Sequence, residues 1–107
     1  MKTSKLALIA AARGEVRTYV SIQKELDQAF ADGRVTGISY QSKSNALRTH
    51  VRERNNLAWM AMSHALVIGD WFDNETLERA ALERTALAML DVYAAIAGGE
   101  ATDEAER

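Results

Sequence analysis

The chain contains no cysteine and no proline. Without cysteine there are no disulfides and no thiolate metal sites, and nothing points to an oxidising compartment. Without proline the residue that most firmly breaks a helix is missing, and six glycines in 107 residues punctuate little. Long helices fit such a chain better than many short strands. Long apolar runs are also missing. Residues 57–68 are the longest, and they include Ser63 and His64; a bilayer span needs about 20 apolar residues. The run at 6–12 follows Lys2 and Lys5, but Arg13, Glu15 and Arg17 come immediately after it, which argues against a signal peptide. A cytoplasmic protein with no membrane role is the expectation.

A chain of this length makes one domain and buries roughly two-thirds of its unfolded surface. Its hydrophobic share of 48% and charged share of 26% are ordinary for a globular protein. The net charge of −2 conceals an asymmetry. Residues 1–56 carry ten Lys/Arg against five Asp/Glu, while residues 57–107 carry three against ten. That split points to electrostatic matching within the fold, between subunits or with a charged partner.

Periodicity predicts a first helix over 4–31, with Leu8, Ala12, Val16, Tyr19, Ile22, Leu26 and Phe30 on its inner arc. Gly33 suits its C-terminal stop, and Gly14 marks a kink or a close backbone approach. The stretch GRVTGISY, 33–40, reads as a loop with at most a short extended piece, after which Ser42 or Ser44 caps a second helix whose apolar side is Ala46, Leu47 and Val51. A break is expected near 54–56, with Asn56 capping a further helix. The last helix is expected to start at Asp73 or Asn74 and to end at Gly98-Gly99. Its core face would be Leu77, Ala81, Leu82, Met89, Val92, Tyr93 and Ile96. The fold class is therefore all-α, a small antiparallel bundle of three long helices, or four if the chain breaks near 54–56, expected to assemble as a homodimer or larger oligomer. The domain spans 1–99, and 100–107 form an acidic disordered tail.

The helix over 57–72 is apolar nearly all round, and one small chain has few elements to surround it. A second subunit or a protein target would supply the cover. Trp59, Met60, Met62, Leu66, Trp71, Leu87 and Leu90 exceed what one small core needs and are the candidate interface residues. A homodimer core accounts for them as well as a foreign partner does.

Catalytic chemistry finds little support. His50 and His64 lack a ligand set, although His50 and Glu53 share a helix face. GISYQ at 37–41 fails the nucleophile-elbow pattern at its fifth residue, and the glycines are too scattered for a phosphate loop. Glu15, beside the apolar arc, is read as an ion-pair partner of Arg48 or Arg52. The expectation is a protein that is not an enzyme and needs no cofactor or metal.

One dense basic stretch remains, QSKSNALRTHVRERNN at 41–56. On a helix over 42–55 it presents Lys43, Asn45, Arg48, Arg52 and Asn55, residue types that read base edges and phosphates. Against that use, about ten residues separate Phe30 from Ser42, too long for a helix-turn-helix, and the chain is acidic overall. GRVTGISY followed by two helices resembles ribbon-helix-helix regulators in outline, with a poor strand pattern. The preferred expectation is a non-enzymatic helical protein acting through protein–protein contact, such as an adaptor, a regulator or a macromolecular inhibitor of the kind phages and plasmids encode. The alternative is a DNA-binding transcriptional regulator using the basic helix.

Overall fold

The computed structural model describes residues 4–68 and 79–106, with side chains at 4–65 and 79–98. Among these residues the chain is all-helical, with α1 at Lys5–Ala31, α2 at Gly37–Arg54, α3 at Asn56–Ile68 and α4 at Arg79–Glu106. The expected starts of the last helix at Asp73 or Asn74, together with Leu77 and Trp71, lie outside the described residues. The Leu66 side chain does too. No helix among the described residues is long and apolar enough to cross a membrane.

The boundaries follow from capping chemistry. Ser4 opens α1, its hydroxyl accepting from the Ala7 N–H at 3.1 Å. At the other end Gly33, at φ 75°, donates to Phe30 O, and Arg34 donates to Ala29 O at 2.8 Å. That pair of bonds is a Schellman stop, and it needs the left-handed residue that glycine supplies. Gly14 behaves differently from expectation: α1 runs through it unbroken, and a Cβ there would meet nothing within 4 Å.

α2 starts earlier than the sequence suggested. Thr36 caps it by accepting from the Ser39 N–H at 3.1 Å, so residues 37–40 are helical rather than extended. Ser42 and Ser44, expected as caps, lie inside the helix. The break between α2 and α3 falls at Asn55, whose backbone turns to φ −146°, ψ 90°. Its Oδ1 accepts from the Ala58 N–H at 3.0 Å, so Asn55 rather than Asn56 caps α3. Finally, α4 does not stop at Gly98-Gly99 but extends to Glu106. Neither glycine takes the positive φ that a glycine stop requires; Gly33 alone does among the described residues.

α2 runs antiparallel to α1, since Ser44 meets Gln23 at one end and Arg54 meets Glu15 at the other. α4 is also antiparallel to α1: Arg79 pairs with Asp27, and Asp91 with Arg13. α3 packs against all three other helices. The core joins Ile9, Ala12, Val16, Tyr19 and Val20 of α1 to Val51, to Ala58, Ala61, Met62 and Ala65 of α3, and to Leu82, Ala86, Leu90 and Ala97 of α4. Many of these are alanines, which let helix axes approach closely. Over 56–65 the chain covers α3 itself except at Asn56, Met60 and His64; the later part of the apolar run expected to need a second molecule, 66–72, lies outside the described side chains.

Two buried faces are rotated from their expected positions. On α1, Ile9, Val20 and Gln23 face inward, leaving Leu8, Ile22 and Phe30 exposed; at 100° per residue this is a turn of about 60°. On α4, Leu90 is fully buried, whereas Val92 and Ile96 are exposed at 51% and 57%. That rotation is about a quarter turn.

Candidate functional site

Three features stand out: a polar cluster inside the bundle, an unpaired flank of α2, and an apolar groove at one end. The cluster ties α1, α2 and α4 together. Gln23 is fully buried, and its Nε2 lies 3.1 Å from Asp27 Oδ1, 3.2 Å from Tyr40 OH and 3.0 Å from Ser44 Oγ. Tyr40 donates its hydroxyl proton to Asp27 Oδ1 at 2.6 Å. Arg79 closes the cluster, donating from Nε to Asp27 Oδ2 at 2.9 Å. Burial by itself raises the Asp27 carboxyl, but hydrogen bonds from Arg79, Tyr40 and Gln23, with the Arg79 charge, outweigh it and hold the pKa below the ordinary value. For Arg79, desolvation lowers the pKa and the bonded carboxylate more than restores it.

This arrangement holds Asp27 as a saturated, ionised acceptor, which is a poor general base. Ser44 is fully buried and meets an amide rather than an imidazole. The cluster is best understood as a staple that holds α4, at Arg79, against α1 and α2. It has one defect, because the buried Gln23 Oε1 finds no donor among the described residues. An unmet buried acceptor of this kind costs about 1–3 kcal/mol.

The α2 flank gathers some of the expected basic residues and disperses others. Asn45, Arg48 and Arg52 are all exposed, and their directions fall within about 60° of one another at 100° per residue. No hydrogen bond or ion pair engages Asn45 or Arg48 among the described residues. The Arg52 guanidinium lies 6.0 Å from the Trp59 ring centroid, at the edge of cation–π range. Ile38 projects on the same flank and is 87% exposed. Lys43 is exposed as well, but about 140° round the helix from Arg48. Asn55 is occupied as a helix cap and is not part of this face. Arg54, not Arg48 or Arg52, pairs with Glu15, at 2.7 Å.

The apolar candidates divide similarly. Met62 and Leu90 lie in the chain's own core. Trp59 and Leu87 are half-buried against that core, and Met60 is exposed. A groove of about 250 Å³ opens where the start of α3 meets the first turns of α1 and the later part of α4, lined by Leu8, Leu57, Tyr93 and Ile96 with Lys5 at its edge. The Tyr93 hydroxyl meets His64 Nδ1 at 2.7 Å. No three His, Asp or Glu side chains converge to hold a metal among the described residues.

Sequence reasoning missed the polar cluster entirely. A signal was present, since Gln23 and Asp27 continue the one-turn spacing of Val16, Tyr19 and Val20 into positions that face inward. Compared with family models, with curated proteins and with solved structures, the chain has no match.

Proposed function

We propose that this chain is a non-enzymatic helical binding protein that acts through protein–protein contact, as an adaptor, regulator or macromolecular inhibitor. The observation that carries this reading is the α2 flank. It places an almost fully exposed Ile38 on the same side as the unpaired Asn45 and Arg48, and as Arg52 over Trp59. An isoleucine left in water gains by burial against another apolar surface. Arginine and tryptophan are the side chains that most often anchor protein interfaces. The cations select an acidic partner and speed its approach.

A second reading is supported by one specific finding. The connection between α1 and α2 is residues 32–36, about half the length that argued against a helix-turn-helix. The two helices nevertheless run antiparallel rather than at the roughly 90–120° of that motif. The same flank would then meet duplex DNA through Arg48, Arg52 and Asn45. Ile38 and the net charge of −2 weigh for protein.

The two readings separate by experiment. Under the first, affinity capture from the source cell recovers a protein. Ile38→Asp and the Arg48→Ala/Arg52→Ala pair each weaken that capture, by about tenfold or more per anchor. Under the second, the wild type shifts duplex DNA at physiological salt, the affinity falls steeply as salt rises, and the double arginine variant flattens that slope. A DNA shift abolished by the arginine pair and indifferent to Ile38→Asp overturns the protein reading.

A further inference from the structure

Two helices carry more apolar surface than the bundle consumes. The rotation of the buried stripe on α1 leaves Leu8 half exposed, and the rotation on α4 leaves Val92 and Ile96 outward. These residues converge. Leu8 and Ile96 line the groove with Leu57 and Tyr93. Val92 lies one turn before Ile96 on α4, and Met60 one turn after Leu57 on α3. The result is an apolar valley between α3 and α4.

We propose that this valley is the seam at which a second copy of the chain packs, related to the first by a two-fold axis. The area argues for it. One chain exposes 7247 Å², whereas a compact monomer of 11.8 kDa exposes about 5,900 Å². The surplus of about 1,300 Å², counted over the whole chain, leaves room for the roughly 800 Å² that each partner buries in a standard interface. Shape agrees, because the radius of gyration is 16.1 Å and the molecule extends 59 × 31 × 16 Å, against about 13 Å for a compact chain of this length. A slab so thin leaves helix faces without a neighbour.

The chemistry of the valley selects a second copy over a foreign partner. A two-fold contact sets a patch against itself, so one sign of charge would be doubled and repelled. Among the described residues Lys5, at the edge, is the one charged residue lining the groove, and Val92 and Met60, one turn from its lining residues, extend it with apolar surface. Interfaces of permanent homodimers are apolar in this way. Charge that could choose a different molecule sits on α2 instead. The seam is separate from that flank and goes beyond the binding reading above.

Sedimentation equilibrium on the purified full chain tests the proposal. The wild type should weigh about twice 11.8 kDa at micromolar concentration. Val92→Glu/Ile96→Glu, at positions already more than half exposed, should return single-chain mass with unchanged helical circular dichroism, since burying two unpaired carboxylates weakens association on the order of 100-fold or more. Ile38→Glu, on the other surface, should leave the dimer intact. The chain has no cysteine, so Val92→Cys with a short bis-maleimide gives a covalent dimer even if the charged variant unfolds. A monomeric wild type, a charged variant that still dimerises, dissociation by Ile38→Glu, or no cross-link from Val92→Cys each overturn the seam. A monomer whose α2 flank still captures a protein overturns the seam alone. A dimer that captures nothing overturns the binding reading alone.

Discussion

Replacing Asp27 with asparagine tests whether the buried polar cluster holds α4 in place. Asparagine keeps the volume and removes the charge. It also exchanges one carboxylate oxygen for an NH₂ group. If that group replaces Oδ1, it faces the donors of Gln23 and Tyr40; if it replaces Oδ2, it faces Arg79 Nε. Either way a donor meets a donor. Exposed ion pairs contribute about 0.2–1 kcal/mol, and removing one partner of a fully buried pair costs about 3–5 kcal/mol. With side chains 20% exposed at Arg79 and 35% at Asp27, this pair lies between, and solvent screening at the more open Asp27 pulls the figure down. We expect Asp27→Asn to cost about 2 kcal/mol at pH 7. In urea melts that lowers the midpoint by about 1 M for a slope near 2 kcal/mol/M, and it lowers Tm by about 10 °C. The effect must also depend on pH. The folded carboxyl titrates below its ordinary 3.8, so folding favours the charged form, and the contribution is full above that value. It is lost as pH falls through the lower, folded value, and there the gap between wild type and variant must close. A cost under about 0.5 kcal/mol at pH 7 would mean that the pair behaves as an exposed one and does not position α4. A gap that stayed constant down to pH 2 would refute the role of the charge.

Two glycines should respond in opposite directions in the same melts. Gly14→Ala should stabilise by about 1 kcal/mol, because the site is helical with open space around it, whereas Gly33→Ala should destabilise by about 1–2 kcal/mol at its φ of 75°. Asn55→Ala removes the cap of α3 and should cost about 1 kcal/mol; no change would show that the α2–α3 break does not depend on that side chain.

The helical class was legible because it rests on what the chain lacks, and the long periodic segments at 5–31 and 37–68 leave little room for strands. Local stops were partly legible. Gly33 ends α1 as its composition suggests, since a single residue decides that geometry. The start of α2 was not legible, because Thr36, Ser42 and Ser44 can all cap a helix and only Thr36 is placed to do so once Tyr40 reaches back to Asp27. The inward faces were misplaced because hydrophobicity alone was used to phase them. Gln23 is turned fully inward although it is polar, because acceptors on Asp27, Tyr40 and Ser44 surround its amide NH₂ group. A polar side chain whose donors are met can be as much part of an interior as a leucine, even though the Gln23 Oε1 finds no donor among the described residues. Once Gln23 turns inward, Ile9 and Val20 turn with it, and Leu8 and Ile22 turn out.

The charge split shows what sequence could and could not say about the site. The excess of cations before residue 57 and of acids after it called for matching, without saying where. Among the described residues, Arg13–Asp91 joins a cation of the first half to an acid of the second. Asp27–Arg79 joins the halves in the opposite sense, and Glu15–Arg54 lies within the first half. These pairs take up Arg13 and Arg54 and leave Lys43, Arg48 and Arg52 of α2 without a carboxylate partner among the described residues. Among the described residues, intramolecular matching therefore does not use up the basic excess of α2. Exposed cations in water need no partner, so their lack of pairing alone assigns no function. The proposed role of the flank, beyond that of a solvated helix face, rests on its apolar company: Ile38 lies in water on the side of Asn45, Arg48 and Arg52, and Trp59 sits under Arg52. A purely electrostatic surface has no use for that isoleucine, whereas the proposed binding surface would bury it against an acidic protein.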